Sequence, residues 1–288
     1  MAKRQSSQFN TRQYMLSEDY EVFYYSDTHF RSVGSHSHDY YELYFFEEGA
    51  VTMEIDGRGY PLKSGDVIVI PPGIDHQALL TDPDKPYRRF VFWQSRPFLE
   101  ALEARSPGCG YLPRRAKSRG RFVYHFDLPT FNTVRMRLFT LLDEIHADRF
   151  AKETVIDLIF TDLLLFLGRT VHEQEQRQNK KEQLSRYEAI THYVDQHLDE
   201  PLSLDILGRQ FYLNKYYLVH LFRENTGLSV HQYILKKRLA ACCDAMRGGV
   251  AVGEAYRQWG FGDYSAFYRA FRKEYGMSPS AYLELHTQ

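Results

Sequence analysis

Cysteine is nearly absent, with Cys109, Cys242 and Cys243 the only three in 288 residues. They form neither a paired framework nor a metal-ligand spacing, so a disulfide scaffold and a cysteine zinc module are both excluded, and the usage suits a reducing compartment. No apolar run approaches the roughly 20 residues that a membrane helix requires. Met1 to Gln13 is polar and lacks the apolar core of a secretory leader, so a cytoplasmic location is expected. An excess of one charge is missing too: 36 Lys and Arg stand against 37 Asp and Glu, a formal net charge of −1. The molecule as a whole is therefore no polycation, and any polyanion must be gripped by local patches. Aromatics, in contrast, are plentiful, with 22 Tyr and 20 Phe, and the length suits two domains with separate cores.

What the chain does contain is a near-repeat. Asn214 to Tyr233 aligns without a gap on Asp263 to Tyr282, at a constant offset of 49 positions. Phe222, Arg223, Gly227, Ser229 and Tyr233 recur as Phe271, Arg272, Gly276, Ser278 and Tyr282, as a duplicated supersecondary unit would. In each copy an Asn or Asp stands where it can cap a helix start, and apolar residues follow four and eight positions later. A glycine then sits where a helix would close in a left-handed turn. A shorter helix is expected upstream of each copy, Ser203 capping Leu204 to Phe211 and a second over Val250 to Trp259. The opposite helical face carries Lys215, Tyr216, Val219, His220 and Arg223 in copy one, and Tyr264, Ser265, Tyr268, Arg269 and Arg272 in copy two. Paired helices exposing donors and aromatics suit entry into a DNA major groove.

Positive charge gathers locally. Lys215, Arg223, Lys236, Lys237 and Arg238 form one group; Arg257, Arg269, Arg272 and Lys273 form another. These can contact phosphates, although Lys236 to Arg238 reads equally well as a solvated face. The stretch Leu204 to Leu285, through Phe222–Ser229 and the long signature Gly260–Pro279, resembles the tandem helix-turn-helix domain of AraC/XylS-type transcription regulators. Gly208 departs from that pattern where alanine is usual, and Ala255-Tyr256 where isoleucine-alanine is usual. The resemblance implies double-stranded DNA as partner, with RNA polymerase added if the chain activates, and places Arg269 among the base-facing positions.

Upstream, aromatic and β-branched runs at Glu21–Tyr25, Tyr41–Phe46, Val51–Ile55, Val67–Ile70 and Arg89–Trp93 are separated by turn residues. Asp56-Gly57 is a hairpin signal. Many short strands without intervening helices predict a sandwich or jelly roll. His36-Ser37-His38-Asp39-Tyr40-Tyr41-Glu42, and Gly65 with Pro71-Pro72-Gly73-Ile74-Asp75-His76, resemble the two motifs of a cupin barrel. On an unbroken strand His36, His38 and Glu42 would share one face. With His76 they offer a ligand set for a divalent metal, although a metal-free polar lining satisfies the same pattern. Glu42, if buried, needs a partner. His36, His38, Glu42, Tyr44, His76 and Trp93 are the candidate pocket residues, and polar groups interleaved with aromatics suit a sugar or similar polyhydroxylated metabolite.

Two apolar-striped helices, Phe131–Arg149 capped by Thr130 and Glu153–Val171, are expected next; family resemblance makes them a homodimer interface. The predicted class is α+β multidomain: a tail over 1–19, a cupin-type barrel over 20–128, a helical dimerisation region over 129–171, a flexible linker over 172–185 and an all-α tandem helix-turn-helix domain over 186–288. The expected function is a ligand-responsive, sequence-specific DNA-binding transcription regulator, with no catalytic residues and no required cofactor. A metal-dependent cupin enzyme fused to a DNA-binding domain is the alternative.

Overall fold

The computed structural model describes residues 7, 12–27, 33–82 and 84–286; most of the expected tail over 1–19 lies outside the described residues. The chain divides into two compact units, the break falling between Glu175 and Gln176.

The first unit is built on two antiparallel sheets. Strands β1 (Tyr20–Asp27), β7 (Tyr87–Gln94), β2 (Tyr41–Glu48), β5 (Asp66–Ile70) and β8 (Val123–His125) form one, in that spatial order. Strands β4 (Arg58–Pro61), β3 (Val51–Ile55) and β6 (His76–Leu80) form the other. β3 and β4 join through Asp56-Gly57, whose positive φ values of 50° and 71° are what that tight turn demands. Both sheets feed one hydrophobic core, to which β2 gives Leu43 and Phe45, β3 gives Met53 and Ile55, and β7 gives Phe90 and Phe92.

Two helices stand where the sequence suggested only barrel: α1 (Arg96–Arg105) and α2 (Tyr111–Arg119). α1 starts on Ser95, whose Oγ accepts from the Phe98 N–H at 3.3 Å. Helix α3 (Leu128–His146) is capped by Asp127 rather than Thr130. The Asp127 carboxylate accepts from the Thr130 N–H at 3.0 Å, and Pro129 fits a first turn where its missing N–H costs nothing.

Helix α4 runs from Lys152 to Gln196. Its early turns bury Ile156, Phe160, Leu163 and Leu167 in the core of the first unit, and its last turns bury Ile190 and Val194 in the second. The stretch 172–185, expected as a flexible linker, is helical and mostly exposed. It contains neither glycine nor proline, and Gln, Glu, Lys and Arg lose little side-chain freedom in a helix.

The second unit is all-helical, with α5 (Leu204–Gln210), α6 (Lys215–Thr226), α7 (Val230–Arg247), α8 (Val252–Gln258), α9 (Tyr264–Tyr275) and α10 (Pro279–His286). The repeat is kept to the residue. α6 and α9 begin and end at the same 49-position offset, Asn214 and Asp263 accept from backbone N–H groups at 2.8 and 2.7 Å, and Gly227 and Gly276 close both helices at φ of 72° and 74°. Each copy has its own apolar cluster, one around Leu218 and Phe222, the other around Phe267 and Phe271. α7 serves both, giving Ile234 to the first cluster and Leu239, Cys242 and Met246 to the second. The alanine-to-glycine departure at 208 has a local reason: a Cβ there would lie 2.8 Å from the Leu213 carbonyl oxygen. Among the described residues no helix is long and apolar enough to cross a membrane.

Arg238 is half-buried and its guanidinium is held by backbone carbonyls. Its guanidinium donates to the carbonyl oxygens of Leu198 at 2.9 Å, Gly260 at 2.8 Å and Glu200 at 2.6 Å. Gly260 at φ 71° leaves the space, since a Cβ would meet the guanidinium carbon at 2.7 Å. Lys237 pairs with Asp195 at 2.9 Å, and Lys236 with Glu274. Replacing Arg238 by Lys removes a planar fork that one ammonium cannot imitate. Arg238→Lys is expected to cost about 1–3 kcal/mol, read as a lower urea midpoint for Trp259 fluorescence in a Trp93→Phe background; an unchanged midpoint would refute the fastening role.

Candidate ligand pocket and nucleic-acid interface

The two sheets line a cavity that opens to solvent. Alternate residues of its strands point into it: Glu42 and Tyr44 of β2, His76 and Ala78 of β6, and Tyr87, Arg89, Val91 and Trp93 of β7. His36, Glu42, Tyr44, His76 and Trp93 of the expected set therefore line one space. His38 stands just behind, its buried ring stacked on Tyr40 with centroids 3.8 Å apart.

The unbroken strand over His36 to Glu42 on which the three would share one face is not formed, since β2 begins only at Tyr41. His36 instead exchanges both backbone hydrogen bonds with His76, at 3.1 and 2.9 Å, and so belongs to the edge of β6. The Pro71-Pro72-Gly73 turn secures the intervening loop, Gly73 N–H donating to His38 O at 2.8 Å. The two motifs are thus stitched together by backbone rather than by shared strand parity.

Glu42 is the buried centre. It faces Trp93 directly across the β2–β7 pair, and the indole Nε1–H donates to Glu42 Oε2 at 3.1 Å. His38 Nε2 reaches the same oxygen at 3.1 Å, and His76 Nε2 stands 3.6 Å away, an electrostatic contact longer than a hydrogen bond. Burial opposes ionisation of Glu42, but its two histidine neighbours outweigh burial and hold the carboxyl below its usual range. Burial lowers the His76 pKa and Glu42 raises it, with a net rise; for His36 burial dominates and the pKa falls.

Nine lining residues lie outside the expected set, among them Arg12, Tyr25, Tyr87 and Arg89. Arg89 is 2% exposed, bonds Asp27 Oδ2 at 2.5 Å and lies over the rings of Tyr25 and Tyr87 at 4.7 and 3.9 Å. An arginine sharing the parity of Trp93 on an apolar strand was the available signal. Tyr44 and Tyr87 join through their hydroxyls, and burial pushes the Tyr87 phenol up, keeping it protonated.

On the helical unit, Lys215, Tyr216, His220 and Arg223 of α6 are exposed, with Val219 half-buried. On α9, Tyr264, Ser265, Arg269, Arg272 and Lys273 are exposed and Tyr268 is half-buried. Each set is the face opposite its own apolar cluster. Lys215 pairs with Asp205 at 2.6 Å and His220 with Glu224 at 3.3 Å, contacts a phosphate or base could replace at little cost on an exposed surface.

Comparison with known proteins gives two family matches. A model described as an AraC-like ligand binding domain matches residues 20–121, and one described as a helix-turn-helix domain matches residues 207–284. The probable transcriptional regulator LumQ of Photobacterium leiognathi is 25% identical over 257 residues, spanning 86% of this chain and 90% of its own. The HTH-type transcriptional activator RhaS of Salmonella arizonae is 24% identical over 251 residues, 85% of each chain. The solved structure of ToxT from Vibrio cholerae aligns with 94% of this chain and 100% of its own at 16% identity, with a TM-score of 0.35.

Removing Glu42 strands a buried indole donor and two imidazoles. Glu42→Ala is expected to destabilise the first unit by about 3 kcal/mol, and Glu42→Gln by less, because the amide oxygen can still accept from Trp93. Urea titration followed by Trp93 fluorescence in a Trp259→Phe background checks this; equal midpoints for the alanine variant and the parent would contradict it.

Proposed function

This chain belongs to the AraC family of transcription regulators, with a ligand-binding domain and a helix-turn-helix DNA-binding domain, and on that premise we propose that it senses a sugar or similar small polyhydroxylated metabolite in the barrel. The cavity wall carries the reading. Tyrosine hydroxyls, imidazoles and a carboxylate alternate there with the faces of Trp93 and Tyr25, as a ligand with hydroxyls on its rim and apolar ring faces requires. The relatives are regulators by name, and the reading assigns the barrel no reaction.

Two copies would pair through α3 and α4, where Met136 is 71% and Leu158 64% exposed. Ligand binding then shifts the population of arrangements in which two DNA-binding units engage paired sites. Each unit presents α6 and α9 to successive major-groove segments, with Arg269 reading a guanine and Arg272 and Lys273 meeting phosphates. An activating role adds RNA polymerase as a partner, in the cytoplasm.

The test is binding of the full chain to its own upstream DNA, titrated against salt with and without a panel of sugars. Specific, salt-dependent binding altered by one sugar is expected; binding that no sugar alters refutes the sugar reading, and absence of specific binding refutes the placement of the recognition helices. Arg269→Ala should weaken operator binding by about 1–3 kcal/mol and relax preference at one base pair.

A further inference from the structure

The two copies in the helical unit close their first helices with the same turn but with different residues in it. At the end of α5, Tyr212 N–H donates to Arg209 O at 3.4 Å and Leu213 N–H to Gly208 O at 2.9 Å. At the end of α8, Phe261 N–H donates to Tyr256 O at 3.2 Å. Leu213 and Phe261 then pack against the apolar clusters of their own copies. The residue before each must turn left-handed for the helix to close this way. In copy two it is Gly260, at φ 71°; in copy one it is Tyr212, at φ 53°.

Glycine has no Cβ to crowd the following carbonyl oxygen in that conformation, and tyrosine has. Copy two excludes a side chain here, because a Cβ on Gly260 would lie 2.7 Å from both the Arg238 guanidinium carbon and the Leu198 carbonyl oxygen. Copy one leaves the place open, and Tyr212 is 96% exposed. A ring so exposed gains almost no packing to offset its strained backbone. One position thus combines a costly conformation with a large uncovered ring, and neither serves folding.

The position of the ring indicates what covers it. Tyr212 stands in the turn leading into α6, two residues ahead of the capping Asn214 and four ahead of Tyr216, which is 81% exposed. In a helix-turn-helix module the first residues of the second helix reach base edges while the helix before it crosses the phosphate backbone. The turn joining them therefore borders that backbone. Arg209 and Lys215, exposed on either side in sequence, add positive field, and Asp205 holds Lys215 only through a surface contact. A phenol offers one uncharged O–H donor, phosphate oxygens accept, and tyrosine is among the side chains that bind them.

We infer that Tyr212 is a DNA-backbone contact belonging to copy one alone, its hydroxyl donating to a phosphate oxygen beside the groove that α6 enters. The inference rests on the DNA-binding reading of α6 and α9 given above. It makes the duplicated module unequal: copy one adds an uncharged anchor where copy two has a bare glycine turn. Such a donor adds affinity without displacing a counterion, and adds it on any sequence.

The experiment measures fluorescence anisotropy of two labelled duplexes, the chain's own upstream region and an unrelated sequence of equal length, titrated with the full chain over a salt series. Tyr212→Phe is expected to weaken binding to both by the same factor, on the order of tenfold, with the slope of log affinity against log salt unchanged. Arg272→Ala, which removes a charge, should lower that slope by about one. Tyr212→Gly relaxes the turn, so it should bind DNA no better than Tyr212→Phe while its urea midpoint, read by Trp259 fluorescence in a Trp93→Phe background, is no lower than the parent's. Unchanged affinity in both variants overturns the inference and leaves a protein as the partner of the ring. A lowered midpoint for Tyr212→Gly also overturns it, since the ring then serves folding, and a loss confined to the upstream duplex makes Tyr212 a base reader instead. A parent that binds neither duplex brings down the placement of the recognition helices, and this inference with it.

Discussion

A carboxylate enclosed in a barrel has to be neutralised within the barrel, and the sensor unit is arranged around that requirement. Glu42 is deprived of water, so the strand opposite supplies an indole donor and two imidazoles converge on the same oxygen. To deliver them, the loop carrying His36 and His38 must be held against the strand carrying His76. The reciprocal backbone pairing of His36 with His76 and the bond from Gly73 to His38 do this. Arg89 repeats the theme deeper in the same wall, where Asp27 and two tyrosine rings accommodate its charge. Glu42 and Arg89, each held by several partners, stiffen the lining, which a ligand-binding domain needs if ligand binding is to be felt beyond the pocket.

The helical unit meets a different constraint. Two copies of one supersecondary unit, each burying a small apolar cluster, are too slight to be rigid separately. α7 passes through both clusters, so neither copy closes without it. Arg238, projecting from α7, fastens the chain before α5 to the turn between α8 and α9. The placement of α6 relative to α9 thereby depends on one helix and one guanidinium.

Several features were legible because they are local. Capping residues, glycine turns and four-residue apolar spacing act over a few positions, so α6 and α9 could be read with correct ends, as could the Asp56-Gly57 hairpin. The missing helices α1 and α2 are short, and their buried residues, Leu99, Leu102, Leu112 and Ala116 among them, pack on a core made by distant strands. The stretch 172–185 misled for a related reason: a polar, exposed composition fits a coil and a solvated helix equally.

The sequence by itself determined the two-domain plan, the tandem helix-turn-helix repeat and the family to which they point, because each is written in short-range periodicity or a contiguous motif. The tertiary structure decided which polar residues share a space. It brought Arg89 and Tyr87 to the cavity, moved His36 from the β2 line to the edge of β6, and turned Arg238 from a candidate phosphate contact into an internal fastening. Those outcomes depend on which backbone carbonyls and strand edges come within about 3 Å after the chain has packed, and residues far apart in sequence carry no local sign of that distance.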